Sequence, residues 1–118
     1  MYGVSEDLDL SFLEGTSLVQ VRLGQYDIQF HFHPRGEIGV QGELEFRGPS
    51  GAVLEFGLPE ALHSSTNLGV VIGVVLSKVS IRPPRSIVLR FESGHEIELF
   101  DSSESYESFQ IAPGNIIV

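Results

Sequence analysis

The chain contains no cysteine, has only seven Lys and Arg against sixteen Asp and Glu, and lacks any apolar run long enough to span a bilayer. The missing cysteine excludes a disulfide framework. Small secreted domains usually lean on one to supplement a limited core, so its lack points to a reducing compartment. The longest apolar run, Leu68 to Leu76, covers nine residues and includes two glycines. A spanning helix needs about 20 residues, so this run is expected in the core rather than in a membrane. The opening Met1-Tyr-Gly-Val-Ser-Glu-Asp has neither a basic nor an apolar segment of the secretory type. The expectation is a cytoplasmic protein. The shortage of bases gives a formal charge of −9. Such a surface repels phosphate backbones, which argues against nucleic acid and is compatible with a basic protein partner.

What is present favours strands. Eight Phe and three Tyr stand among many Val, Ile and Leu, with thirteen Gly and six Pro as turn punctuation. At 118 residues, with 42% apolar and 19% charged, one domain over residues 1–118 with one core is expected.

The most informative feature is internal. Asp9-Leu10-Ser-Phe-Leu13-Glu-Gly15-Thr-Ser-Leu18-Val-Gln-Val21-Arg-Leu23 matches Asn67-Leu68-Gly-Val-Val71-Ile-Gly73-Val-Val-Leu76-Ser-Lys-Val79-Ser-Ile81 at a constant offset of 58. After a one-residue adjustment, Ile28-Gln-Phe30-His-Phe32 answers Ile87-Val-Leu89-Arg-Phe91, and Gly36, Ile38 and Val40 answer Gly94, Ile97 and Leu99. In each unit, Asp9 or Asn67 is placed to cap one helical turn. Gly15 or Gly73 is placed to end it with positive φ. Three strands follow as a meander, turning at Gly24-Gln25 or Pro83-Pro84 and again at a glycine. The units cover about 9–57 and 67–118.

In the first unit the third strand is read as long, with Ile38, Val40, Leu44 and Phe46 on one face and a bend at Gly39 and Gly42. Ala52, Leu54 and Phe56 are expected to form the inward face of a fourth strand, and Pro59 to open a short helix. In the second unit Tyr106 to Ile111 alternates like a strand, and Ile116-Ile-Val118 is expected to tuck into a sheet. The predicted fold is mainly β, with two duplicated antiparallel β-meanders packed as a sandwich or partly open barrel and one or two short helical turns.

Two stretches are candidates for chemistry. His31-Phe-His33-Pro-Arg-Gly-Glu37 places two histidines at i and i+2 on one strand face, with Glu37 able to supply a third metal ligand. The spacing His-x-His-x-x-x-Glu resembles the first metal motif of cupins, which implies a metal-dependent enzyme or sensor. Leu44 stands where that motif has a glycine, and no second motif follows. The alternation of Tyr26, Ile28, Phe30 and Phe32 assigns His31 and His33, with Asp27 and Gln29, to a solvated face. The second candidate is Asp101-Ser-Ser-Glu-Ser-Tyr-Glu, where Asp101, Glu104, Tyr106 and Glu107 would present an acidic, aromatic surface to a basic partner. The competing reading is a polar turn that anchors Tyr106 and Phe109 in the core. His63 and His95 sit in a linker and a turn.

No Gly-x-Ser-x-Gly elbow is present, and Gly69 to Gly73 lacks the Lys-Ser/Thr of a phosphate loop, so no cofactor is expected and catalytic residues are unknown. The pattern Leu89-x-Phe91-x-x-Gly94-His-x-Ile97-x-Leu99-x-Asp101, then Tyr106-Glu-Ser-Phe109-x-Ile111, resembles a family of small uncharacterised bacterial proteins. Gln20-Val-Arg-Leu-Gly-Gln-Tyr-Asp-Ile-Gln-Phe and Gly42-Glu-Leu-Glu fit its first half. The resemblance implies a bacterial cytosolic source and brings no activity or site residues. The expectation from sequence is a non-enzymatic binding protein that caps a basic partner, with a homodimer through an edge strand as a further prospect.

Overall fold

Period-two alternation decides which side chains leave water. In the computed structural model, which describes residues 4, 6–62, 66–101, 108–112 and 116–118, Ile28, Phe30 and Phe32 of one strand are buried while Gln29 and His31 face outward. The first meander runs from a 3-10 turn (Ser11–Leu13) through β1 (Ser17–Leu23), β2 (Ile28–His33) and β3 (Glu37–Val40). It is followed by β4 (Leu44–Arg47), β5 (Val53–Gly57) and a single helical turn, α1 (Pro59–Leu62). The second meander repeats the order with a 3-10 turn (Leu68–Val71), β6 (Leu76–Arg82), β7 (Ser86–Phe91) and β8 (Glu96–Phe100). The strands β9 (Phe109–Ala112) and β10 (Ile116–Ile117) follow.

These strands form two five-stranded antiparallel sheets. Sheet A has the order β1-β2-β3-β9-β10 and sheet B the order β5-β4-β8-β7-β6. Each sheet keeps two edges, so the architecture is a sandwich and not a closed barrel. One apolar cluster lies between them, contributed by Leu18, Phe30, Ile38 and Phe109 from sheet A and by Phe46, Leu76, Phe91 and Ile97 from sheet B.

The pairing of elements exceeds what the repeat alone implies. The strands β4 and β5, which follow the first meander, add onto β8 of the second. The strands β9 and β10, which follow the second, add onto β3 of the first. Each meander is completed by the strand pair that follows the other. The two also meet at their starts. Gly15 N–H donates to Leu76 O (2.8 Å) and Gly73 N–H to Leu18 O (2.6 Å); Leu18 N–H donates to Val74 O (3.1 Å) and Leu76 N–H to Thr16 O (2.7 Å). These bonds are related two by two through the Ser17–Val75 bridge. Gly15 and Gly73 have φ of 87° and 89°, the left-handed values expected of them. Both first strands carry a bulge at matching positions, between Leu18 and Gln20 and between Leu76 and Lys78.

Three local expectations are corrected. The long third strand is two strands in different sheets, because Gln41 and Gly42 N–H both donate to Ser108 O at 2.8 Å and the chain then crosses the sandwich. A Cβ on Gly42 would lie 3.0 Å from that of Ser108 and 3.2 Å from Phe100 O, so the crossing leaves little room for a side chain. Leu54 and Phe56 do not face inward: they are 44% and 53% exposed. Glu55 lies opposite core residue Phe46 and takes the inward side, where its carboxylate accepts from Thr66 Oγ1 (2.7 Å) and Asn67 N–H (2.9 Å). That carboxylate organises the entry to the second 3-10 turn, which fixes the facing of β5. Asn67 makes no side-chain cap; Thr66 Oγ1 accepts Leu68 N–H at 3.1 Å instead. Asp9 does act as expected, accepting Ser11 N–H at 2.9 Å. That bond holds its carboxyl below the usual aspartate range.

Val118 is buried and exchanges backbone hydrogen bonds with Phe109, as its apolar character requires. The Phe91 ring is fully enclosed in the core. Phe91→Ala is expected to lower unfolding free energy by about 3–5 kcal/mol in urea denaturation, with the midpoint shifted and the slope unchanged.

Candidate functional site

Three surface regions concentrate polar or exposed apolar groups. The first is the outer face of sheet A, where alternation along β2 sends Gln29, His31 and His33 outward. Antiparallel register sets His31 opposite Glu37, and His31 Nδ1 lies 3.2 Å from Glu37 Oε2. Gln29 connects the row, with Nε2 donating to Asp27 Oδ2 (3.1 Å) and Oε1 lying 3.4 Å from His31 Nε2. Beside this row, Gly39 of β3 stands between Gln29 of β2 and Gln110 of β9, and Glu37 stands between His31 and Ala112. With no side chain at Gly39 and only a methyl at Ala112, a cleft of about 320 Å3 opens over β3.

Two of the three metal candidates therefore come together. His33 sits at the end of β2, exposed and opposite Ser17. Among the described residues no group of three or more His, Cys, Asp or Glu is placed to hold a metal ion. What the row offers is a hydrogen-bonding surface with one exposed carboxylate, Glu37.

The second region is the outer face of sheet B. Arg47 of β4 reaches three carboxylates: Nη1 lies 2.7 Å from Glu45 Oε1 and 2.9 Å from Glu98 Oε1, and Nε lies 3.3 Å from Glu96 Oε1. Burial alone would lower the Arg47 pKa, but the hydrogen bonds to Glu45, Glu98 and Glu96 outweigh it and the net direction is upward. Ser86 Oγ donates to Glu98 Oε2 at 2.6 Å, and Arg82 and Arg90 approach Glu98 and Glu96 at 3.6 and 3.8 Å. Glu98 and Ser86 are buried, and the described residues leave no buried side-chain nitrogen or oxygen without a partner. This set satisfies itself internally.

The third region lies along β5, the free edge of sheet B. Val53 is 55% exposed and joins Leu54 and Phe56 as apolar groups in water. Phe56 meets Phe100 edge to face, with centroids 6.2 Å apart. Next to it a shallow groove of about 430 Å3 is lined by Leu54, Thr66, Asn67, Gly69, Val70 and His95. His95 stacks on Phe46 at 5.5 Å. Alternation hid this patch, because Leu54 and Phe56 read as an inward face; the one contrary signal was Glu55, whose carboxylate holds Thr66 and Asn67.

Of the acidic partner-binding candidates, Asp101 accepts the Ser108 hydroxyl at 3.0 Å, and its backbone N–H donates to Arg85 O at 2.6 Å. Glu104, Tyr106 and Glu107 lie outside the described residues, as does His63. No helix among the described residues is long and apolar enough to cross a membrane. Comparison with family models, curated proteins and solved structures finds no match.

The Arg47 set yields a direct expectation. Arg47→Met leaves three close carboxylates without their shared cation, and removing one partner of a largely buried pair costs about 3–5 kcal/mol. Thermal unfolding should register a large drop in midpoint, whereas Arg82→Met, an exposed partner, should change it little.

Proposed function

We propose that the protein is a non-enzymatic binding module that caps a basic protein partner, using the β5 edge and its apolar surroundings as the docking surface. The observation that carries this reading is an unpaired edge strand with three exposed apolar side chains on a chain of net charge −9. Lys and Pro, common guards of edge strands, are absent from β5, and its one inward carboxylate, Glu55, is engaged by Thr66 and Asn67. Exposed apolar groups on an acidic chain suit an interface with an apolar centre and a complementary charged rim. Glu60, just beyond β5, and the net charge of −9 favour a basic partner over a second copy of the chain. A cytosolic setting belongs to the same reading, supported by the lack of cysteine.

The test is affinity capture from native lysate of the source organism, comparing wild type with the double variant Leu54→Lys, Phe56→Lys. A near-stoichiometric basic protein retained by wild type and lost by the variant is the expected result. Equal capture by both would remove β5 as the surface. A wild-type dimer in sedimentation that the variant converts to monomer would reassign the edge to self-association.

A further inference from the structure

The outer faces of the two sheets carry the same grid of positions, filled differently. In sheet B, Glu96 of β8 lies between Arg90 of β7 and Arg47 of β4, and Glu98 lies between Val88 and Glu45. In sheet A, Glu37 of β3 lies between His31 of β2 and Ala112 of β9, and Gly39 lies between Gln29 and Gln110. Position for position, Glu37 stands where Glu96 does, Gln110 where Glu45 does, Gly39 where Glu98 does, and Ala112 where Arg47 does. On sheet B the centre of this grid is occupied by the Arg47 guanidinium, held by Glu45, Glu98 and Glu96 at 2.7, 2.9 and 3.3 Å. On sheet A the arginine is cut back to alanine, and the cleft of about 320 Å3 opens at the corresponding place.

We propose that this cleft binds a guanidinium group from outside the chain. Glu37, 56% exposed, supplies the carboxylate that Glu96 supplies on the other face. Gln110 of β9 stands at the register position that Glu45 holds on sheet B, and Gln29 borders the opposite wall. Gly39 provides the room. Its φ is outside the left-handed region, and a Cβ built on it meets nothing within 4 Å, so neither backbone nor packing requires glycine there. Glycine weakens the interior of a strand and marks places where a ligand approaches the backbone closely. One carboxylate replaces three, which makes the site a reversible one rather than a permanent internal bridge. A planar guanidinium can meet the Glu37 carboxylate with two parallel hydrogen bonds, a geometry that an ammonium does not offer. The group could belong to an arginine of a protein partner or to a free guanidino compound; the inference stands independently of the β5 surface.

The experiment is a heteronuclear NMR titration of the full chain with N-acetyl-arginine amide, with N-acetyl-lysine amide as control. Saturable shifts are expected at the Gly39 amide and the Gln29 and Gln110 side-chain amides, with the lysine compound about tenfold weaker. Ala112→Arg would place the chain's own guanidinium opposite Glu37 and abolish binding, and Glu37→Gln would weaken it by about tenfold. Both lie on the solvent face, and unchanged dispersion elsewhere in the spectrum verifies the fold. Leu54→Lys, Phe56→Lys should bind as wild type does, which separates this site from the β5 surface. Tighter binding of an extended peptide with a single arginine would identify a partner side chain as the source, and equal affinity a free compound. Equal shifts with the lysine compound, shifts mapping elsewhere, or binding retained by both Ala112→Arg and Glu37→Gln would overturn the proposal.

Discussion

The antiparallel junction between residues 15–18 and 73–76 is the constraint on which the rest of this sandwich depends. Four backbone hydrogen bonds tie the start of β1 to the start of β6 across the Ser17–Val75 bridge. Backbone groups at the root of a strand must be satisfied somewhere. Here each sheet's edge strand satisfies them with the other sheet's. The junction requires the chain to leave each 3-10 turn with positive φ, which is why glycine stands at 15 and 73. A bulge follows directly in each strand, and the bend a bulge introduces turns the strand's start toward the opposite sheet.

Once the two meanders are held in this relation, their third strands need further partners, and the exchange of β4–β5 and β9–β10 supplies them. The matching hydrogen bonds and bulges of the two halves make departures from them informative. Glu14 reaches across and accepts Val79 N–H at 2.9 Å, closing part of the β6 edge. The matching residue in the second unit is Ile72, exposed and unable to accept, so the β1 edge has no such guard. The outer faces differ in the same way: one is filled by its own arginine and the other is left open.

The order of a 3-10 turn and three strands in each half was legible because structure at these positions rests on a few side-chain types at fixed spacing. Leu18, Gly15 and the Ile28, Phe30, Phe32 alternation have one conformational reading each, and all of them match the sheets. The crossing at Gly42 was legible only as a bend, since nothing local distinguishes a bent strand from one that changes sheet. That distinction is made by Ser108, sixty-six positions away, whose carbonyl accepts both Gln41 and Gly42. Leu54 and Phe56 failed as inward residues for a related reason. Alternation reports which side chains share a face, and a carboxylate bound to a distant loop can decide which face is inside. The candidate site followed the same rule: the strand face of His31 was readable, but the cleft beside it depends on Gln110 and Ala112 arriving from the far end of the chain.

The distribution of the few bases sharpens the meaning of the acidic balance. Of seven Lys and Arg, Arg47, Arg82 and Arg90 lie within 4 Å of Glu45, Glu96 or Glu98 on sheet B, and Arg35 Nε donates to Phe12 O at 2.9 Å. The cations are therefore concentrated on the face that also holds a self-satisfied carboxylate set. Glu37 on sheet A has His31 beside it and no Lys or Arg within salt-bridge distance among the described residues. A net charge spread evenly would say little beyond solubility. On sheet A the one Lys or Arg carried by a strand, Arg22, lies opposite Gln29 on the side of β2 away from the cleft, which leaves Glu37 as the carboxylate that meets whatever cation docks there.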